Sequence, residues 1–182
     1  MSTAMPGYQQ QQPTPGFEST AVIRSVGRCF LLLLASGGLW AFAWIYHTTK
    51  EVSNKVNNPA PSPGFRTVMY VIPFANLVIW FLAWKDIEEY CKRARSEDFP
   101  MVLFYLLTLL LGFPALFTYP IIQSRMNQAH MAATNGQATK APMQTIDWVF
   151  VVIGLLFLLL WIVLLIVLLA AAGSGSPETT TY

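Results

Sequence analysis

The chain has 182 residues, of which 54% are hydrophobic, 14% aromatic and only 11% charged, with a formal net charge of +2. A soluble domain carries about 25% charged residues, so the polar surface needed to coat a globule is missing. So small a net charge, with no basic stripe interleaved with aromatics, does not imply a nucleic-acid partner, and the lipid bilayer is the expected one.

Four apolar stretches carry the excess, at residues 29–46, 67–84, 101–122 and 148–172. A hydrocarbon core about 30 Å thick needs roughly 20 apolar residues in a helix. The first two stretches are marginal by that measure, the third adequate and the fourth long enough to span with some tilt. The expected fold is therefore an all-α integral membrane protein. It has about four apolar helical segments, the first three kinked or broken, with amphipathic juxtamembrane helical extensions.

In chain order, residues 1–23 open with a Gln/Pro-rich run, YQQQQPTPGF, too poor in apolar residues to offset the entropy of ordering. A three-segment membrane domain is expected over residues 24–130. Arg24 and Arg28 precede its first segment, which is broken at Gly37 and Gly38. After Tyr46 the pattern turns polar but stays helical, with Ile45, Thr49, Val52 and Val56 on one narrow face. Asn57, Asn58 and Pro59 stop that helix, and PAPSPG is a stiff connector.

The second segment carries Pro73 and Asn76, passes Trp80 and Trp84, and runs without a turn residue into a charged helix. There Ile87, Tyr90, Cys91 and Ala94 share a face, and Glu88–Lys92 and Glu89–Arg93 are i,i+4 pairs in the favourable order. Asp98 and Pro100 are set to start the third segment, which holds Gly112 and Pro114 at its centre and Pro120 near its end. Residues 131–146 read as a polar loop, 147–172 as a C-terminal transmembrane helix with Gly154 as its one irregularity, and 173–182 as a frayed tail.

Proline and paired glycine kink a helix by default, which gives three kinked spans. The alternative is re-entrant segments that enter and leave on one side, their irregular backbone shielded by protein. With four spans and the N-terminus inside, six basic residues fall in the cytoplasm and five outside, so the positive-inside rule barely decides. With three re-entrant segments all eleven fall on one side. Re-entrant segments are rare, and the expectation is four spans in a multi-pass protein. Trp40, Trp44, Trp80, Trp84 and Trp148 lie near segment ends, where indoles anchor at the headgroups.

The stretches LWAFAWIYHTTKEV, PFANLVIWFLAWKDIEE and LGFPALFTYPIIQSRMNQA together resemble the bacterial "domain of unknown function 4234" membrane family. The resemblance covers about residues 24–130. It rests on Trp44 and Tyr46 with Thr48, Thr49, Lys50 and Glu51; on Pro73, Asn76, Leu77, Trp80, Ile87 and Glu88; and on Gln123, Ser124 and Asn127. Ala41 stands where members often have glycine. The resemblance implies a small helical domain in a bacterial plasma membrane and implies no chemistry.

No Asp, Glu, Lys, Arg or His interrupts the four stretches, so the usual pointer to an intramembrane site is missing. Asn76, three residues after Pro73, either satisfies the freed backbone or contacts a ligand. His47 and His130 stand alone and read as solvated interface residues; Cys29 and Cys91 read as small packing residues. No phosphate loop, nucleophile elbow or metal-ligand spacing is present, and no cofactor or metal is expected. The expected role is a non-enzymatic membrane protein acting by association with other membrane proteins or itself, as subunit, scaffold or assembly factor. A small oligomeric channel or transporter component and a membrane-shaping protein are the alternatives. The candidate positions are Gly37, Gly38, Trp44, Tyr46, Pro73, Asn76, Trp80, Trp84, Gly112, Pro114, Gln123 and Asn127.

Overall fold

A computed structural model describes residues 21–111 and 115–173. It is built almost wholly of helices, with one pair of two-residue parallel strands, β1 (Val22–Ile23) and β2 (Thr139–Lys140). Among the described residues only the last helix, α8 (Thr145–Gly173), is long and apolar enough to cross a membrane. The expectation of four spanning segments is not confirmed: the first two apolar stretches are each divided between two helices joined by a turn.

The first division shows the physics. Ser25 caps α1 (Val26–Ala35) by accepting from the Arg28 amide. The helix ends in a Schellman turn, with Gly38 N–H donating to Leu33 O at 2.8 Å and Gly37 N–H to Leu34 O at 3.0 Å. Gly37 has φ +59° and Gly38 φ +91°, values that glycine adopts without strain. The Ser36 hydroxyl donates to Leu33 O and accepts from Trp40 N–H at 2.8 Å, starting α2 (Trp40–Thr48). The reversal thus satisfies its own polar groups.

A π turn (Thr49–Ser53) and the last turn α3 (Asn54–Val56) extend α2. Ser62 caps α4 (Pro63–Met69), with Pro63 in its first turn. A tight turn over residues 70–74 leads into α5 (Ala75–Arg93), which continues unbroken from the apolar part into the charged part as expected. At that turn Phe74 is exposed and holds φ +66°. A second Schellman turn, with Arg95 left-handed, closes α5. Pro100 then precedes α6 (Met101–Leu111). Gly112 and Pro114 lie outside the described residues, and the chain resumes as α7 (Ala115–Ala133), with Pro120 inside it.

Strand β1 takes up Val22 and Ile23, the end of the expected N-terminal tail, and β2 lies within the expected polar loop. The helices stand as three hairpins, α1/α2, α4/α5 and α6/α7. Helix α7 packs on α1 and α5, α4 on α2, and α8 on α2 and α1. Trp40, Trp44, Trp84, Ile87, Tyr90, Ile122 and Met126 form the core. On α8 only a stripe at Asp147, Val151 and Gly154 is buried, and its side chains from Leu155 to Leu169 are exposed. At 1.5 Å per residue its 29 residues run about 43 Å.

Candidate functional site

The molecule has an apolar crown, where the first two hairpins turn, and a polar base, where the hairpins begin and end. Each hairpin is closed at its base by an ion pair. Arg24, before α1, grips Glu51 of the π turn with both terminal nitrogens, one bond at 2.6 Å. Arg66 of α4 pairs with Asp86 of α5 at 2.7 Å and also donates to Ser53 Oγ at 2.9 Å. Glu97, before α6, pairs with Arg125 of α7. The first two pairs are buried, and burial is tolerable only because further hydrogen bonds complete their geometry. Asn57 supplies one of these, donating to Asp86 Oδ1 at 2.9 Å.

The π turn explains how Glu51 reaches inward. A π turn holds an extra residue, and here Glu51, Val52 and Ser53 are all buried in succession. Opposite them, the Asn127 amide donates to Arg24 O at 2.6 Å and accepts from Arg24 N–H at 3.1 Å, holding that backbone as a strand partner would. Gln123 donates to Asn127 Oδ1 at 3.0 Å and accepts from Trp44 Nε1–H at 2.9 Å. Trp44, Gln123, Asn127, Arg24 and Glu51 therefore form one continuous polar chain across α2, α7 and the N-terminal strand.

The long apolar helix α8 is fastened to this base by Asp147. Its Oδ1 accepts from Trp40 Nε1–H at 2.9 Å and faces His47 Nε2 at 3.0 Å, while Oδ2 accepts from Gln144 N–H. On the far side of the base the Tyr90 hydroxyl meets His130 Nδ1 at 2.9 Å, and Lys55 Nζ lies 5.7 Å from the Tyr90 ring centre. Burial, with the charges of Lys55 and Arg24 in support, pushes His130 down to about 3. Burial also lowers Lys55, against the pull of Glu51.

Both histidines are thus buried, which corrects the expectation of solvated interface residues; the hairpins fold the ends of their segments inward. The same folding corrects the reading of the tryptophans. Trp40, Trp44 and Trp84 are core residues, whereas Trp148 is exposed at the start of α8. Trp80 packs edge-on against Trp84 at 5.0 Å and stacks with Tyr119 at 6.0 Å. Cys29 and Cys91 are buried free thiols.

Of the other singled-out residues, Gly37 and Gly38 form the first turn, with Leu158 of α8 against Gly37. Pro73 sits at the exposed tip of the second hairpin, and Asn76 in the first turn of α5, its side chain without a hydrogen bond to a described residue. Tyr46 is half-buried beside His47. The crown also holds an apolar cavity of about 350 Å³ walled by Leu33, Gly38, Ala41, Tyr70, Trp80 and Tyr119. On these helices and turns Leu31, Leu34, Val71, Ile72, Leu106 and Leu110 are exposed. Sequence reasoning missed the ion pairs of the base, the role of Asp147 and the hydrogen bond between Tyr90 and His130. Their only signal was charge or polarity flanking each apolar stretch.

Among the described residues no group of three or more His, Cys, Asp or Glu side chains converges to hold a metal. The fold defines a class, a helical body of short hairpins carrying one membrane-length helix. No protein-family model, curated protein or solved structure matches the chain.

Proposed function

We propose that the protein is a non-enzymatic integral membrane protein whose three hairpins are re-entrant, occupying one leaflet beside a single spanning helix. It acts on the bilayer as a wedge. The observation that carries this reading is where the first turn meets α8. Ser36 and Gly37 lie against Gly154 and Leu158, six and ten residues beyond Trp148. That is about 9–15 Å along the helix, near the middle of a hydrocarbon core about 30 Å thick. The ten residues of α1 and eleven of α6 match the same half-depth at about 15 Å each.

Charge supports the reading. All eleven Lys and Arg residues precede α8, so the polar base carries every one and the chain beyond α8 none. By the positive-inside rule the base faces the cytoplasm. Six helical rods then crowd one leaflet and a single helix crosses the other. That asymmetry expands the cytoplasmic leaflet and favours curvature toward it. The resemblance to the "domain of unknown function 4234" family fits a bacterial plasma membrane as its site.

A second reading is favoured by α8 alone. Its side chains from Leu155 to Leu169 are exposed on every face, which leaves room in the far leaflet for a partner's helix or a second copy, and makes the body a scaffold. Reconstitution separates the two. A wedge partitions into small, highly curved vesicles and tubulates large ones as a monomer. Equal partition and unchanged vesicle shape, with cross-linking through α8, would leave the scaffold instead.

A further inference from the structure

At the foot of α1 lies a second cavity, of about 220 Å³, lined by Arg24, Ser25, Arg28, Asn127 and Lys140. Its chemistry is one-sided. Glu51 engages the buried Arg24 guanidinium through both terminal nitrogens, and Arg24 still lines the space. Arg28 donates to Ala141 O at 2.8 Å and, like Lys140, has no carboxylate partner among the described residues. No acidic side chain lines the space. The first amides of α1, a helix of ten residues, add their partial positive charge.

Just beyond, Leu31 and Leu34 are exposed on α1, one and two turns past the cavity. A ligand that satisfies both halves carries an anionic phosphate at one end and hydrocarbon at the other. We infer that this cavity binds the phosphate of an anionic phospholipid of the leaflet holding the hairpins, its acyl chains lying along Leu31 and Leu34. The inference rests on the one-leaflet reading, since only there does the foot of α1 meet the headgroups. Arg28 and Lys140 are the charge-assisted donors, and Ser25 Oγ is the neutral one.

The test uses full-length protein in neutral phosphatidylcholine micelles or nanodiscs, titrated with phosphatidylglycerol, with added phosphatidylcholine, and with soluble glycerol phosphate. Thermal stability and native mass spectrometry are the readouts. Phosphatidylglycerol is expected to raise the melting temperature and stay bound, added phosphatidylcholine to do neither, and glycerol phosphate to act far more weakly. Lys140→Gln, an exposed position, is expected to weaken phosphatidylglycerol binding about tenfold and Arg28→Gln to weaken it more. Equal effects of the two phospholipids, or an unchanged Lys140→Gln, would overturn the site while leaving the hairpin topology to its own cysteine-labelling test. Glycerol phosphate binding as tightly as the lipid would make this a soluble-phosphate site and overturn the lipid assignment.

Discussion

Gly154 of α8 lies directly against the backbone of Ser36 at the turn of the first hairpin, where a methyl group would stand 2.5 Å from Ser36 Cα. Both sides of that contact are backbone, which cannot rotate aside. Gly154→Ala therefore forces α8 off the turn, at a cost of about 1–3 kcal/mol typical of overpacking. Gly27 in α1 has open space around it, so Gly27→Ala is expected to be neutral or slightly stabilising. Thermal unfolding in detergent compares the two. Equal melting temperatures for both variants would mean that α8 does not seat on the turn.

The buried pair Arg66–Asp86 gives a second expectation. Asp86→Ala strands a buried guanidinium and is expected to cost about 3–5 kcal/mol, whereas Arg66→Met with Asp86→Leu costs much less. Chemical denaturation of the single and double variants reads the difference. A double variant as unstable as the single would show that the pair contributes by more than mutual neutralisation.

His130 sets a pH dependence. Its folded value, about 3, lies below the ordinary histidine value of roughly 6.5, so the unfolded chain binds the proton first. Its contribution is fully present above pH ~6.5 and is lost as pH falls toward 3. The slope is roughly 1 kcal/mol per pH unit. Between pH 6.5 and 5 few carboxylates titrate, and His130→Gln should flatten the curve there. An equally steep variant would assign the acid sensitivity to another group.

Cys91 is pushed up to about 11, chiefly by burial, so little reactive thiolate forms near neutral pH. Maleimide should leave both native cysteines unlabelled until the protein unfolds. Rapid labelling of the folded protein would place one of them at a surface.

Much of this was legible in the chain and some was not, for a physical reason. The breakers at Gly37, Gly38 and Pro73, the Glu88–Lys92 and Glu89–Arg93 pairs and the membrane length of α8 are all local, and each is present. A kink and a reversal share the same local residues, so the direction of the chain after each break was not local information. It is set by partners far apart in sequence. Arg24 and Glu51 are 27 residues apart, Arg66 and Asp86 20, and His47 and Asp147 100. Before folding, each of these reads as an ordinary solvated flank of an apolar stretch. Gly154 was visible as an irregularity, but the turn it accommodates comes from the other end of the chain. Trp44, Gln123 and Asn127 were singled out as separate motifs and prove to be successive links of one hydrogen-bonded chain.

The claim that every hairpin enters and leaves on one side is open to direct measurement by single cysteines at Ala60, Asp98, Gln137 and Thr180, labelled in intact cells with a membrane-impermeant maleimide and again after permeabilisation. Ala60, Asp98 and Gln137 are exposed between helices at the polar base. The account predicts that these three stay protected until permeabilisation while Thr180, beyond α8, is labelled from outside. Labelling that alternates, with Ala60 and Gln137 reached from outside and Asp98 and Thr180 protected, would establish four spans and contradict it.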